Sequence, residues 1–115
     1  MADPTVFEQI IAREIPAEIV LENDRIIAFT DIHQQAPMHV LVVPKTAAYR
    51  DVVELAAGDP DLLAEMVQAA RAIARERGDG DFRLVFNTGE LAGQTVFHAH
   101  AHVLGGGSLG EGSLA

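Results

Sequence analysis

The chain has no cysteine, so neither a disulfide nor a thiolate metal site can hold it together, which suits a reducing compartment. Basic residues are scarce as well: eight Lys and Arg stand against 17 Asp and Glu, for a formal charge of −9. Such a surface repels a polyanion, and no Lys/Arg cluster interleaved with aromatics offsets that locally, which argues against nucleic acid as a partner. A small phosphate ligand stays open, because backbone N–H groups, imidazoles and one lysine can build a local anion site inside an acidic protein. There is no run of 18 apolar residues to span a membrane, and Met1-Ala2-Asp3-Pro4 does not open a secretion signal. What the chain does have is 115 residues of 49% apolar content, enough for one modest core. We expect one domain over residues 1–115, with a core of about 5–107 and a loose glycine-rich tail over 108–115, in a cytoplasmic protein.

Thr5-Val6-Phe7-Glu8 has the form of a capping box and predicts a short helix over about 6–13. Ile19 to Leu21 and Arg25 to Phe29 are apolar, β-branched runs around Glu22-Asn23-Asp24, which reads as a hairpin. Met38 to Val43 predicts a third strand, stopped by Pro44, which has no N–H to give the ladder. Asp59-Pro60 supplies a cap and a first-turn proline for a helix running to Arg77 before Gly78, with Leu62, Leu63, Met66, Val67, Ala70 and Ile73 as its apolar stripe. Asp51 to Leu55 can add a helical turn, while Phe82 to Asn87 and Thr95 to Leu104 read as two further strands. Together these predict an α+β fold with two main helices and a largely antiparallel five-stranded sheet.

The chemistry concentrates in His98-Ala99-His100-Ala101-His102-Val103-Leu104-Gly105-Gly106, where three of five histidines occupy alternate positions. In an extended strand they share one face roughly 6.6 Å apart, while Phe97, Ala99, Ala101 and Val103 share the other. Two functional readings follow. Neutral imidazoles from His98, His100 and His102, with His39 as a possible fourth, can ligate zinc or a similar ion. Alternatively one imidazole attacks phosphorus while its neighbours donate N–H to the non-bridging oxygens. A purely structural row would need partners for three adjacent rings without benefit. Gly93-Gln94-Thr95 before the histidines and Gly105-Gly106 after them allow close backbone approach to an oxyanion, which favours phosphate. Asp31 can accept from ribose hydroxyls and Asn87 can orient a phosphate, although both residue types also serve ordinary turns. Lys45 reads as solvated surface.

These residues resemble the histidine-triad superfamily. His98 to Leu104 follows its His-apolar-His-apolar-His-apolar-apolar pattern. The blocks Phe7-Glu8-Gln9-Ile10-Ile11, Glu14-Ile15-Pro16-Ala17, Asp31-Ile32, Gln35-Ala36-Pro37-Met38-His39 and Asn87 with Gly93-Gln94-Thr95 recur in the family's order. Gly105-Gly106 resembles the Hint branch, the purine nucleoside phosphoramidases, more than the dinucleoside-polyphosphate branches. The resemblance implies a hydrolase that uses neither cofactor nor metal, with a sheet continued across a homodimer. It implies His100 as the nucleophile on the α-phosphate of a purine nucleoside phosphoramidate, giving a nucleotidyl-histidine that water hydrolyses. It further implies that the His98 carbonyl holds the nucleophile's ring, that His102 and His39 lie at the phosphate, and that Thr95 serves the leaving group. Gln94, Asn87 and Gly93 would flank the phosphate, Asp31 would hold the ribose, and Val6, Phe7, Ile10, Phe29, Ile32 and Leu41 would line a purine slot. A nucleotide-binding module with little turnover, a dinucleoside polyphosphate hydrolase and a metalloprotein are the alternatives. Three departures stand out. Thr5, Glu8 and Ala47 replace residues that bind a structural zinc in some relatives, Gln34 replaces a frequent proline, and the tail lacks the branch's Trp-Pro-Pro-Gly ending, which contributes to leaving-group recognition.

Overall fold

In a computed structural model, which describes residues 3–110, Thr5 Oγ1 accepts from the Glu8 N–H (3.1 Å) and Glu8 Oε1 from the Thr5 N–H (2.9 Å). This capping box starts helix α1, Val6–Ile11. It is shorter than the sequence predicts because Arg13 takes φ 63°, a left-handed conformation that a helix cannot continue through. Strands β1 (Ile19–Glu22) and β2 (Ile26–Thr30) form the expected hairpin, its turn held by Asn23 Oδ1 accepting from the Arg25 and Ile26 N–H groups, each at 2.9 Å. Strand β3, Met38–Pro44, is buried throughout. Asp51 caps α2 (Val52–Gly58), and Asp59 caps α3 (Pro60–Arg77), which begins on a proline and stops at Gly78. Strand β4 is Phe82–Val85, a 3₁₀ turn follows at Glu90–Ala92, and β5 is Ala101–Gly105.

The five strands lie in the order β1-β2-β3-β5-β4, every neighbouring pair antiparallel. Alternation along each strand sorts the side chains between two cores. Ile26, Ala28, Val40, Val42, Ala101 and Val103 face α3, where Leu62, Met66, Ala70 and Ile73 close the larger core. Ile27, Phe29, Leu41 and Val43 face the other way, onto Phe7 and Ile10 of α1. Val67, expected in the α3 stripe, is instead 38% exposed, on the flank of the buried face. No helix among the described residues is long and apolar enough to cross a membrane.

The histidine segment departs from a continuous strand. Ladder pairing of β5 with β3 ends at Val42↔Ala101, because beyond it Pro44 has no N–H to offer. Side-chain and long-range bonds replace the ladder there: His98 Nε2–H donates to the Pro44 carbonyl (2.7 Å) and the Ala99 N–H to the Tyr49 carbonyl (3.0 Å). Gly105 and Gly106 are hemmed in by neighbouring backbone and side chains. A Cβ on Gly105 would lie 2.7 Å from the Asp81 carbonyl oxygen, and Gly106 has φ 78° with Met38 packed against it. Their smallness serves strand packing. Of the tail expected to be loose, residues 111–115 lie outside the described residues, and the Gly110 carbonyl accepts from Arg83 (2.6 Å).

Candidate active site

Between α1, the 15–18 turn, the end of β2 and the histidine segment runs a slot of about 970 Å³. Its apolar end is walled by Phe7, Ile10, Phe29 and Leu41, all buried, with Val6 and Ile32 at the mouth, Ile32 being 89% exposed. Its polar end collects Asp31, His39, Gly93, Thr95, His100 and His102. Phe7 joins the two ends: its ring meets Phe29 at 5.7 Å and His100 at 4.8 Å, both edge-on.

Hydrogen bonds fix which nitrogen of each ring carries a proton. A carbonyl only accepts, so His98 is protonated at Nε2, where it meets Pro44, and His100 at Nδ1, which donates to the His98 carbonyl at 2.8 Å. This i−2 contact leaves the His100 Nε2 lone pair unspent. A backbone N–H only donates, so the Gln35 N–H at 3.0 Å makes His39 Nδ1 an acceptor and puts that ring's proton on Nε2. His39 Nε2 then lies 2.9 Å from His102 Nδ1 and 3.4 Å from Asp31 Oδ2. By accepting at Nδ1, His102 carries its own proton on Nε2. Of the three histidines in the row, His98 turns away from the slot: it is 1% exposed, and its buried Nδ1 has no hydrogen-bond partner.

Burial is the main reason that all four of these rings are less basic than free histidine. His102, also crowded by His100 and His39, is pushed down to about 4. All four are therefore neutral at pH 7. An unfolded chain binds protons on these residues near pH 6.5 while the folded one does not, so stability rises with pH between these values. Urea midpoints are expected to fall as pH drops from 6.5 toward 4, and His102→Gln should flatten that slope. An unchanged slope in the variant would remove His102 from the account.

The predicted residues divide cleanly. His100, His102, His39, Asp31, Thr95, Gly93 and the six apolar residues line the slot, whereas His98, Gln94 and Asn87 do not. Gln94 is buried, with its amide donating to the Arg50 (2.7 Å) and Val96 (3.1 Å) carbonyls and accepting from the Gly89 N–H (2.9 Å), which ties the glycine loop to the body. The Asn87 amide lies beside Gly93, about 4.0 Å from where a Cβ would stand. Gly93 itself has φ 95° at the end of the 3₁₀ turn, so glycine is required there. Ile15, Pro16, Ala17 and Val96 are further walls that the sequence does not mark as such, and Gln35 acts through its main chain and so carries no side-chain signal.

Metal ligation meets a specific obstacle. The set of His98, His100 and His102 in the alternative metal reading does not converge, because His98 bonds Pro44. Among the described residues Asp31, His39 and His102 offer ligand atoms within 4.8 Å of one another. Yet metal-binding histidines donate their second ring N–H, and His39 instead receives one from Gln35. Ligation through Nε2 would require an imidazolate, so this set does not fit a divalent ion as it stands.

A five-stranded antiparallel sheet whose central strand pair presents neutral histidines at one end of an apolar slot defines the histidine-triad class of α+β protein. Residues 4–113 match the family model described as scavenger mRNA decapping enzyme C-terminal binding. An uncharacterised HIT-like protein of Synechocystis is 48% identical over 110 residues, covering 92% of this chain and 93% of its own length. The purine nucleoside phosphoramidase of Escherichia coli is 41% identical over 112 residues, covering 96% and 93%. Among solved structures, a HIT family hydrolase from Clostridium thermocellum superposes with a TM-score of 0.88 at 39% identity, covering 96% of both chains. The chain belongs to the histidine-triad (HIT) family, in its Hint branch, and is a hydrolase of that family.

Proposed function

We propose that this hydrolase cleaves the P–N bond of purine nucleoside 5′-phosphoramidates, working in the cytoplasm without a metal. The observation that carries the reading is the His100 ring, whose Nδ1 proton is spent on the His98 carbonyl so that an unprotonated Nε2 is left for the slot. In this reading the purine lies between Phe7, Ile10, Phe29 and Leu41, the ribose hydroxyls donate to Asp31, and the α-phosphate rests before His100. His100 Nε2 attacks phosphorus, the P–N bond breaks, and the amine leaves with a proton that the Thr95 hydroxyl relays from solvent, a proton returned when water later attacks the intermediate. His102 Nε2–H donates to a non-bridging oxygen and stabilises the charge gathering there. Water then attacks the nucleotidyl-histidine, releasing nucleoside monophosphate and restoring the His100 lone pair. Gly93 leaves the backbone close to the phosphate, while Gln94 acts from behind by holding the loop and Asn87 lies beside Gly93. The similarity to the E. coli phosphoramidase supports the substrate class.

We also read the working form as a homodimer continued through β4, a sheet edge whose Phe82 and Leu84 are only half-buried in one chain. Sedimentation should give twice the mass of one chain. Turnover of a fluorogenic adenosine phosphoramidate is the test of activity. Hydrolysis faster than that of a dinucleoside polyphosphate supports the proposal. The reverse order favours a polyphosphate hydrolase, and tight AMP binding without any hydrolysis favours a binding module.

A further inference from the structure

His39 is 3% exposed and holds a single ring proton, on Nε2, because Gln35 occupies Nδ1. His102 Nδ1 takes that proton in a hydrogen bond at 2.9 Å, and Asp31 Oδ2 stands beside it at 3.4 Å, an ion-pair distance from which it can draw the same donor. Asp31 is itself divided. Its Oδ1 accepts from the His33 N–H at 2.8 Å, and the carboxylate lines the slot. Resting on the ribose position assigned above, we propose that His39 is a positioning residue that couples ribose binding at Asp31 to the orientation of His102 at the phosphate.

With the slot empty of sugar, the Asp31 carboxylate is a charged acceptor within reach of His39 Nε2–H, and charged acceptors draw such a donor more strongly than neutral ones. Each moment that the donor spends on Asp31 leaves His102 Nδ1 without a partner. The His102 ring can then keep its one proton on either nitrogen, exchanging it through solvent, and the Nδ1–H form turns a lone pair toward a phosphate oxygen. Two vicinal hydroxyls donating to Asp31 fill its lone pairs and weaken its claim on His39. The His39 proton then stays on His102 Nδ1, which fixes His102 as the Nε2–H donor that the developing charge requires. His39 need not touch the substrate to do this, since both of its nitrogens are engaged by protein groups.

One consequence is kinetic. Hydroxyls that only bind sugar change KM, whereas hydroxyls that also set the His102 tautomer change kcat. The test compares adenosine and 2′,3′-dideoxyadenosine phosphoramidates on the wild type and on His39→Leu. In the wild type, loss of the hydroxyls should lower kcat about tenfold, the scale of one transition-state hydrogen bond, in addition to raising KM. In His39→Leu the kcat ratio should approach one while the KM ratio persists. Because His39 is buried, a second readout needs no variant: ¹⁵N NMR of His102 should show the Nε2–H form with AMP bound and a mixture of tautomers with 2′,3′-dideoxy-AMP. Equal tautomer populations with both nucleotides, or a hydroxyl effect confined to KM, would overturn the coupling. Absence of any turnover with AMP still binding would instead sink the hydrolytic reading and leave the NMR result to decide the coupling.

Discussion

Replacing His100 by alanine is expected to lower turnover of an adenosine phosphoramidate by roughly 10⁴-fold or more, because the step that forms the covalent bond to phosphorus disappears with the ring. Few residues in the chain are so specifically prepared for one role. The His98 carbonyl accepts the Nδ1 proton, the edge of Phe7 fixes the plane from 4.8 Å, and burial keeps the ring neutral. What remains in the variant is the apolar slot, Asp31 and His102, so AMP should still bind with an affinity within a few-fold of the wild type. The measurement is kcat/KM with the fluorogenic substrate beside AMP binding by calorimetry. Equal turnover by both proteins would remove His100 from the mechanism, and loss of binding together with turnover would show that the ring serves the slot and not the bond.

Gly105→Ala is expected to produce one of the largest losses of stability available to a single methyl group, about 1–3 kcal/mol. Gly105 sits where β5 pairs with Met38 on one side and Phe82 on the other. The added Cβ would lie 2.7 Å from the Asp81 carbonyl oxygen and 3.0 Å from Met38 Cε. The methionine tip can swing away, but the carbonyl belongs to the chain entering β4 and moves only if β4 shifts against β5. Gly110→Ala, with nothing within 4 Å, is the control and should stay within about 0.5 kcal/mol of the wild type in urea denaturation. Equal midpoints for the two variants would contradict this packing.

Some of this architecture is plain in the sequence because the physics is local. Thr5 with Glu8, Asn23 in its turn and Asp59 before Pro60 each satisfy backbone groups a few residues away, and a reader of the chain can see both partners at once. The alternate spacing of His100 and His102 is local too, and their ring centroids do lie side by side, 5.2 Å apart. What the chain alone hides depends on distant partners. The extended histidine run gives up its ladder where Pro44, 54 residues away, lacks an N–H and spends its carbonyl on the His98 ring, while the Ala99 N–H turns to Tyr49. Gln94 looks like a ligand-facing amide until Arg50 and Val96 claim its donors. Gly105-Gly106 resembles an anion loop until β4 is seen pressed against it. His39 reads as a phosphate contact and does line the slot, but its hydrogen bonds to the Gln35 N–H and to His102 depend on partners that its own position in the chain does not announce.

The central claim is a covalent bond from His100 to the α-phosphorus. Intact mass after a rapid acid or denaturant quench of a single turnover tests it most directly. The account predicts that a fraction of the wild-type chain gains the mass of one nucleotidyl group, mapped to the peptide that holds His100, and that His100→Ala gains none. Hydrolysis that proceeds in the wild type with no adduct at any time point, or an adduct that persists in the alanine variant, would contradict it.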